Sequence, residues 1–177
     1  FCLLFCSCNN QEEPETYETV GKGAAYIWKS TNSLLTGSEN PNPNPNPGEV
    51  SGEGTFENPY TAADVLALNN TKSGNYWVKA FIVGQINGKS ISNAEFDAPF
   101  TPSSKDDGTL NTYNTNLLIA TSATESNTSN CVPVQLPSGA LRSGFRIIEK
   151  HTMDGQEILL YGSLEAYFSA PGIKSPT

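Results

Sequence analysis

Basic side chains, histidine and methionine are scarce in this chain of 177 residues. Ten Lys and Arg stand against 18 Asp and Glu, which gives a formal net charge of −8 at pH 7. Binding that depends on neutralising phosphates needs clustered positive charge, so this balance argues against a basic nucleic-acid clamp. The single His and single Met remove most imidazole-based acid–base and metal chemistry. The sequence therefore predicts no catalytic residue, no metal site and no cofactor.

The four cysteines lack the spacing of a disulfide framework, because three lie within residues 1–8 and Cys131 stands alone far downstream. The apolar start of the chain ends at Ser7-Cys8 and is followed by polar residues. This pattern resembles the end of a bacterial lipoprotein signal, in which a small residue precedes the acylated cysteine. The resemblance implies that Cys8 is lipidated and attaches the protein to a membrane. Cys6, which follows a bulky Phe, is a weaker candidate, and the other interpretations are a buried strand or a zinc knuckle.

Residues 9–53 are low in hydrophobicity and include an Asn-Pro repeat over residues 40–47. Proline at every second position removes amide donors and biases each preceding Asn toward extended conformations. We therefore predict a disordered, Asn/Pro-rich linker over 9–53, within which the repeat acts as a semi-rigid spacer. The short apolar segment around Trp28 is interpreted either as a docking strand or as an ordinary part of this linker.

Residues 54–177 have the pattern of a folded domain. Thr61 followed by Asp64 predicts the start of a short helix. Alternating apolar residues then predict two long strands, each with a central glycine, Gly84 and Gly162. We expect an all-β fold, a small five-stranded antiparallel barrel of the oligonucleotide/oligosaccharide-binding (OB) type with a short N-terminal helix. A two-sheet sandwich is the alternative.

Five segments taken in order resemble a domain of unknown function found in cell-surface lipoproteins of Bacteroidetes. They are Gly54–Leu68, Tyr76–Gly84, Leu117–Ala120, Asn130–Leu136 and Tyr161–Ser175. The resemblance implies an OB-like fold and a place in the bacterial cell envelope, anchored by lipid to the outer membrane. It implies no catalytic residues. In two respects the sequence departs from the pattern: Ala80 stands where a glycine is expected, and the last strand is short, which leaves closure of the barrel open.

The alternation also predicts a ligand-binding face. Exposed aromatic side chains beside a cation can stack against bases or sugar rings. The residues expected to carry such contacts are Trp77, Lys79, Phe81, Tyr161, Tyr167 and Arg142. The alternative is that the helix or the linker covers this stripe and that Arg142 pairs with a nearby acid.

These patterns together predict a surface-anchored, non-enzymatic binding domain. Single-stranded nucleic acid and glycan are the two ligand classes considered. The alternative function is that of a structural or accessory subunit, whose partner is another protein of a cell-surface assembly.

Overall fold

A computed structural model describes residues 16–20, 25–29, 49–104, 108, 110–111 and 114–176. Cys8, Cys6 and the Asn-Pro repeat lie outside the described residues. The strands are β1 (Thr16–Val20), β2 (Ala25–Lys29), β3 (Tyr60–Thr61), β4 (Asn75–Ile86), β5 (Ala94–Phe96), β6 (Ser103–Ser104), β7 (Leu110–Asn111), β8 (Asn116–Ala120), β9 (Cys131–Gln135), β10 (Glu157–Tyr167) and β11 (Ala170–Lys174). The α-helices are α1 (Ala62–Leu68) and α2 (Ala140–Phe145), and single 3₁₀ turns lie at Ile91–Asn93, Thr128–Asn130 and His151–Met153.

Five of these strands form a closed ring by backbone pairing. The order around the ring is β4, β8, β9, β11, β10 and back to β4. The prediction of an all-β fold with a short N-terminal helix is confirmed. The last strand, although only five residues long, pairs with both β10 and β9 and so completes the ring.

The prediction that all pairing is antiparallel is wrong. β9 and β11 run parallel and meet at Val134 and Ile173. β3 also runs parallel to β4, with Tyr60 opposite Val78. A closed ring with an odd number of strands cannot be antiparallel at every contact, and the pair of β9 and β11 is the parallel one in this ring. Proline lacks an amide donor, so Pro133 is expected in an edge strand. That expectation is wrong, because β9 pairs with β11 on one side and with β8 on the other.

Helix α1 begins as its sequence predicts. The Thr61 side chain accepts a hydrogen bond from the Asp64 backbone N–H at 3.1 Å. The Asp64 carboxylate in turn accepts one from the Thr61 N–H at 2.8 Å, which completes a capping box. The helix ends at Asn69, which adopts a left-handed conformation with φ of 43°.

Two clusters of buried side chains lie on opposite faces of β4. The ring encloses the first, to which β4 contributes Val78, Ala80 and Ile82 as its alternation predicts. The second lies outside the ring and contains Val83 and Ile86. Strict alternation along β4 would place Ile86 on the same inner face as Ile82. The register of β4 against β8 shifts between Ile82 and Gly84, so the alternation is offset by one residue beyond that bulge.

The two central glycines lie where their strands change partner. At Gly84, β4 begins to pair with β5, and a Cβ there would overlap the carbonyl of Glu95. Beyond Gly162, β10 exchanges its partner β4 for β11. A Cβ on Gly162 would lie 2.7 Å from the side chain of Ile173. Both positions require close approach of neighbouring chain.

Two paired strands lie within the range 9–53, for which the sequence predicts a linker. β1 and β2 form an antiparallel hairpin, and β2 pairs with β10 at residues 158–160. Each strand is only five residues long, and an isolated hairpin of this size is at best marginally stable, so its signal in the sequence is weak. Residues 51 and 52 also join the domain through Asp64, ahead of the expected boundary at residue 54.

Candidate functional site

An aromatic cluster lies on the outer side of the ring, where the first half of β4 meets β10. Trp77 and Tyr161 are directly opposite each other in the register of these strands. Their ring centroids are 5.1 Å apart with the planes inclined by 40°. Phe56 adds a third ring, 5.1 Å from Trp77 in an edge-to-face arrangement. We call Phe56, Trp77 and Tyr161 the aromatic face. The sequence prediction of Trp77 and Tyr161 on one surface agrees with this geometry.

The loop that carries Phe56 is held by backbone contacts. The Gly54 carbonyl accepts a hydrogen bond from the Trp77 N–H at 2.9 Å, which joins the loop to β4. The N–H groups of Glu53 and Gly54 both donate to the Asn58 carbonyl at 3.0 Å. Gly54 has φ of 74°, and a Cβ there would lie 2.5 Å from the Tyr60 ring, so glycine suits this position both sterically and conformationally. Phe56 is thus presented on an ordered loop.

Asp64 fixes the start of the same loop. Its carboxylate accepts hydrogen bonds from the Ser51 N–H at 2.7 Å and from the Gly52 N–H at 3.3 Å. The residue is only 1% exposed. Burial by itself raises the pKa of Asp64, but the hydrogen bonds from Ser51 and Thr61 outweigh it and hold the pKa below its usual value. The ionised carboxylate therefore joins the loop to helix α1.

Charges around the aromatic face are balanced or negative. Lys79, two residues beyond Trp77, forms an ion pair with Glu157 at 3.2 Å. Their side chains are 42% and 23% exposed. The Phe56 loop also carries Glu53 and Glu57, both exposed. The charges that the structure describes beside the aromatic face are therefore paired or negative, which does not favour phosphate groups.

Phe56 is 49% exposed and is the large hydrophobic residue that the described part of the chain exposes most clearly. Sequence reasoning missed it. It lies in a loop without hydrophobic periodicity, and only the contact of that loop with β4 brings it to Trp77. In the sequence it stands between Thr55 and Glu57, in a polar stretch that contains no signal that would have identified it.

Phe81 lies in different surroundings from Trp77, although both are on the outer side of β4. It packs against the second buried cluster, which includes Leu118 and Cys131 and is covered by Ala94 and Phe96 of β5. The structure therefore gives Phe81 a packing partner and places it away from Phe56.

Tyr167 and Arg142 lie at another part of the domain. Tyr167 is six residues from Tyr161 along β10, a distance of about 20 Å in an extended strand. Burial raises the pKa of Tyr167, and the nearby guanidinium of Arg142 opposes that effect. Arg142 donates from Nε and Nη2 to the Leu136 carbonyl, at 3.0 and 2.6 Å. These two residues are neighbours of each other and not of Trp77.

Other features of the described residues offer little chemistry. Cys131 is fully buried, and its burial raises the pKa of the thiol to about 12, as for an inert core cysteine. A polar cleft of about 30 Å³ beside Gln85 and Asn116 has room for water and not for a sugar or base ring. The Asn116 side chain accepts a hydrogen bond from the Ile86 N–H at 2.7 Å and donates one to the Ile86 carbonyl at 3.0 Å. Within the described ranges, no group of three His, Cys, Asp or Glu is placed to hold a metal ion.

The chain matches a protein family described as Domain of unknown function (DUF6359) over residues 60–177. It belongs to that family. No curated protein and no solved structure matches it. In the part of the chain that the structure describes, every helix is too short or too polar to cross a bilayer.

Proposed function

We propose that this protein is a non-enzymatic glycan-binding protein of the bacterial cell envelope. Its ring of strands is an OB-like barrel, and its ligand binds at the aromatic face. The observation that carries the proposal is the contact of three aromatic rings, one of them well exposed, at a surface whose charges are paired or negative.

The order of pairing supports an OB-like barrel. A closed ring of five short strands, with a long bent first strand β4 and small helices between strands, is the arrangement typical of that fold. Barrels of this type bind oligonucleotides and oligosaccharides on the outer faces of their strands. Fold analogy does not assign a ligand, so the ligand class is argued from the face itself.

The charges favour a glycan over a nucleic acid. Single-stranded nucleic-acid sites combine stacking rings with a positive groove that follows the phosphates. Here Lys79 is paired with Glu157, and the loop beside Trp77 carries Glu53 and Glu57. An uncharged sugar ring can pack on Trp77 and Phe56 without meeting phosphate repulsion. Neutral oligosaccharides are therefore the expected ligands.

The envelope location rests on the sequence Ser7-Cys8 and on the polar residues that follow it. Acyl chains on Cys8 would each contribute about 0.8 kcal/mol per buried methylene, which suffices for durable attachment when two or more are present. Changing Cys8 to Ala should release the protein from the membrane fraction, whereas Cys6→Ala should leave it attached. The opposite pattern would assign the anchor to Cys6.

The ligand proposal is tested by titrating the full chain with neutral hexasaccharides of glucose and of N-acetylglucosamine, and separately with oligo-dT, at about 50 and about 500 mM salt. We expect a hexasaccharide to change tryptophan emission equally at both salt concentrations. Phe56→Ala and Trp77→Ala should each weaken that binding about tenfold, since one lost aromatic contact is worth about 1 kcal/mol or more. Tyr167→Ala, at the far end of β10, is the matched control.

Two results would overturn this proposal. Binding of oligo-dT that weakens steeply with salt would assign the face to nucleic acid. Absence of any response to the hexasaccharides, combined with loss of a co-purifying envelope protein in Trp77→Ala, would assign the face to a subunit contact in a surface assembly.

A further inference from the structure

The second edge of β10 requires a partner strand where β11 does not reach. Along residues 157–163, the first edge of β10 pairs with β4. On the second edge, β11 pairs with β10 from Ser163 onward, and β2 pairs with residues 158–160. Among the strands that the structure describes, β2 is thus the one that covers this part of β10.

The backbone of Leu159 points to β2. Successive residues of a strand direct their N–H and C=O groups to opposite edges. On the first edge, the Leu164 N–H donates to the Gly74 carbonyl at 3.2 Å, in register with the pairing of β10 and β4. Even-numbered residues of β10 therefore bond toward β4. Leu159 directs its backbone groups to the second edge, where Tyr26 of β2 lies opposite.

The burial of β10 agrees with a strand that has neighbours on both edges. Ile158 and Leu160 face the interior of the ring and are at most 1% exposed, and Leu159 on the outer face is 4% exposed. Without β2, this apolar segment would be an open sheet edge, which is prone to pair with other chains. The backbone groups of Leu159 would also lose their partner. Docking of β2 therefore stabilises this edge.

The strand that docks here comes from chain outside the matched family domain. The family match covers residues 60–177, whereas β1 and β2 lie within residues 16–29, shortly after Ser7-Cys8 in the sequence. With Cys8 as the lipid anchor, residues 9–15 separate the anchor from the docked hairpin. They span at most about 25 Å when fully extended, whereas residues 9–48 would span about 140 Å. Docking thus shortens the connection between the anchor and the domain.

We propose that docking of β2 on β10 holds the domain close to the membrane, so that the aromatic face reaches glycans near the membrane surface. This inference rests on the lipid anchor proposed above. The range that the sequence assigns to a linker then has two parts with different roles. Residues 9–15 set the distance from the membrane, and residues 30–48 connect β2 to the domain without affecting that distance.

The test uses the full chain coupled through Cys8 to phosphatidylcholine vesicles that contain a maleimide lipid and a dansyl lipid. Cys2→Ser and Cys6→Ser leave Cys8 as the reactive thiol. Cys131 does not compete, because it is fully buried and burial raises the pKa of its thiol to about 12. The coupling is chemical, so this test does not depend on whether the cell acylates Cys8.

The distance of the domain from the membrane is followed by energy transfer from Trp77 to the dansyl lipid, with Trp28→Phe removing the other tryptophan. About ten Gly and Ser residues are inserted either after Gln11 or, as the matched control, after Ser38. We expect the insertion after Gln11 to lower the energy transfer about twofold, because it lengthens the short connection. The insertion after Ser38 should leave the energy transfer unchanged. Equal effects of the two insertions would overturn the inference.

Hydrogen exchange tests the docking itself. Tyr26→Pro removes the N–H that faces Leu159 and should release β2 from β10. We expect the Leu159 amide to be protected in the wild type and to exchange about tenfold faster or more in Tyr26→Pro. The amide of Leu118, in β8, should keep its protection and so show that the domain remains folded.

An unprotected Leu159 amide in the wild type would mean that β2 is not docked, and the inference would fail. The proposed anchor and ligand are decided separately, by the membrane fractionation of Cys8→Ala and by the sugar titration.

Discussion

The two halves of β4 have outer faces with different surroundings. Near its start, Trp77 contacts Tyr161 and the loop residue Phe56, which is 49% exposed. Near its end, Val83 and Ile86 are at most 4% exposed under β5 and the turn before it. The same strand thus supports a candidate binding surface at one end and a second core at the other. Alternation in the sequence predicts which residues face outward, but what covers them is determined by chain that lies elsewhere.

The largest effect expected at the covered end is that of Leu118→Ala. Leu118 is fully buried in the second cluster, outside the ring. Removal of its side chain should lower the free energy of unfolding by about 2–5 kcal/mol, as for a core leucine. Urea unfolding measures this, with Leu117→Ala in the first cluster as the matched variant. A loss below about 1 kcal/mol for Leu118→Ala alone would show that the outer face is open at this end too.

Gly84→Ala should disrupt the packing of β5 against the second half of β4. The added Cβ would overlap the Glu95 carbonyl, so β5 must move away from β4. We expect a loss of about 1–3 kcal/mol in unfolding free energy, together with faster hydrogen exchange of the amides in β5. Unchanged exchange would mean that β5 tolerates the methyl group and that the glycine is not what permits the close contact.

The sequence predicted more of the strands than of the site. Helix α1, the strands of the ring and the inward positions Val78, Ala80 and Ile82 follow from capping and alternation. The position of Ile86 does not, because the bulge before Gly84 leaves no mark in the hydrophobic pattern. Phe56 and the β1–β2 hairpin were missed for a related reason. Both are placed by pairing with distant strands and not by their own periodicity.

Asp64→Asn tests the first half of β4, where the aromatic face lies, because Asp64 holds the loop that carries Phe56. The folded-state pKa of Asp64 lies below its usual 3.8, so its contribution to stability is complete above that pH and is lost as the pH falls through the folded value. We expect Asp64→Asn to cost about 1–2 kcal/mol at pH 7 and to lose part of the acid sensitivity of the wild type.

Urea unfolding between pH 7 and pH 2.5 measures the difference between Asp64→Asn and the wild type. Glu165→Gln, which removes an exposed carboxylate 3.7 Å from Lys174, is the control and should change little. If the difference in unfolding free energy between the wild type and Asp64→Asn stays constant down to the lowest pH, the role of the ionised Asp64 carboxylate is contradicted.

The smallest effect is expected from Glu157→Gln. Its ion pair with Lys79 is partly exposed, and such pairs contribute less than about 1 kcal/mol. The charge change has a second consequence, since it removes a negative group beside the aromatic face. Oligo-dT affinity should rise slightly at low salt while neutral sugar affinity stays the same, as a titration of both probes would show. Loss of sugar affinity would instead give Glu157 a direct contact with the ligand.

The contrast between the two ends of β4 is tested most directly by comparing Phe56→Ala with Phe81→Ala in the full chain. Unfolding free energy and hexasaccharide affinity are measured for both variants. We predict that Phe56→Ala weakens binding about tenfold and changes stability by less than about 0.5 kcal/mol, because Phe56 is exposed. Phe81→Ala should cost about 1–3 kcal/mol in stability and leave the affinity unchanged. If Phe81→Ala instead loses binding and Phe56→Ala keeps it, the assignment of the ligand to the aromatic face is contradicted.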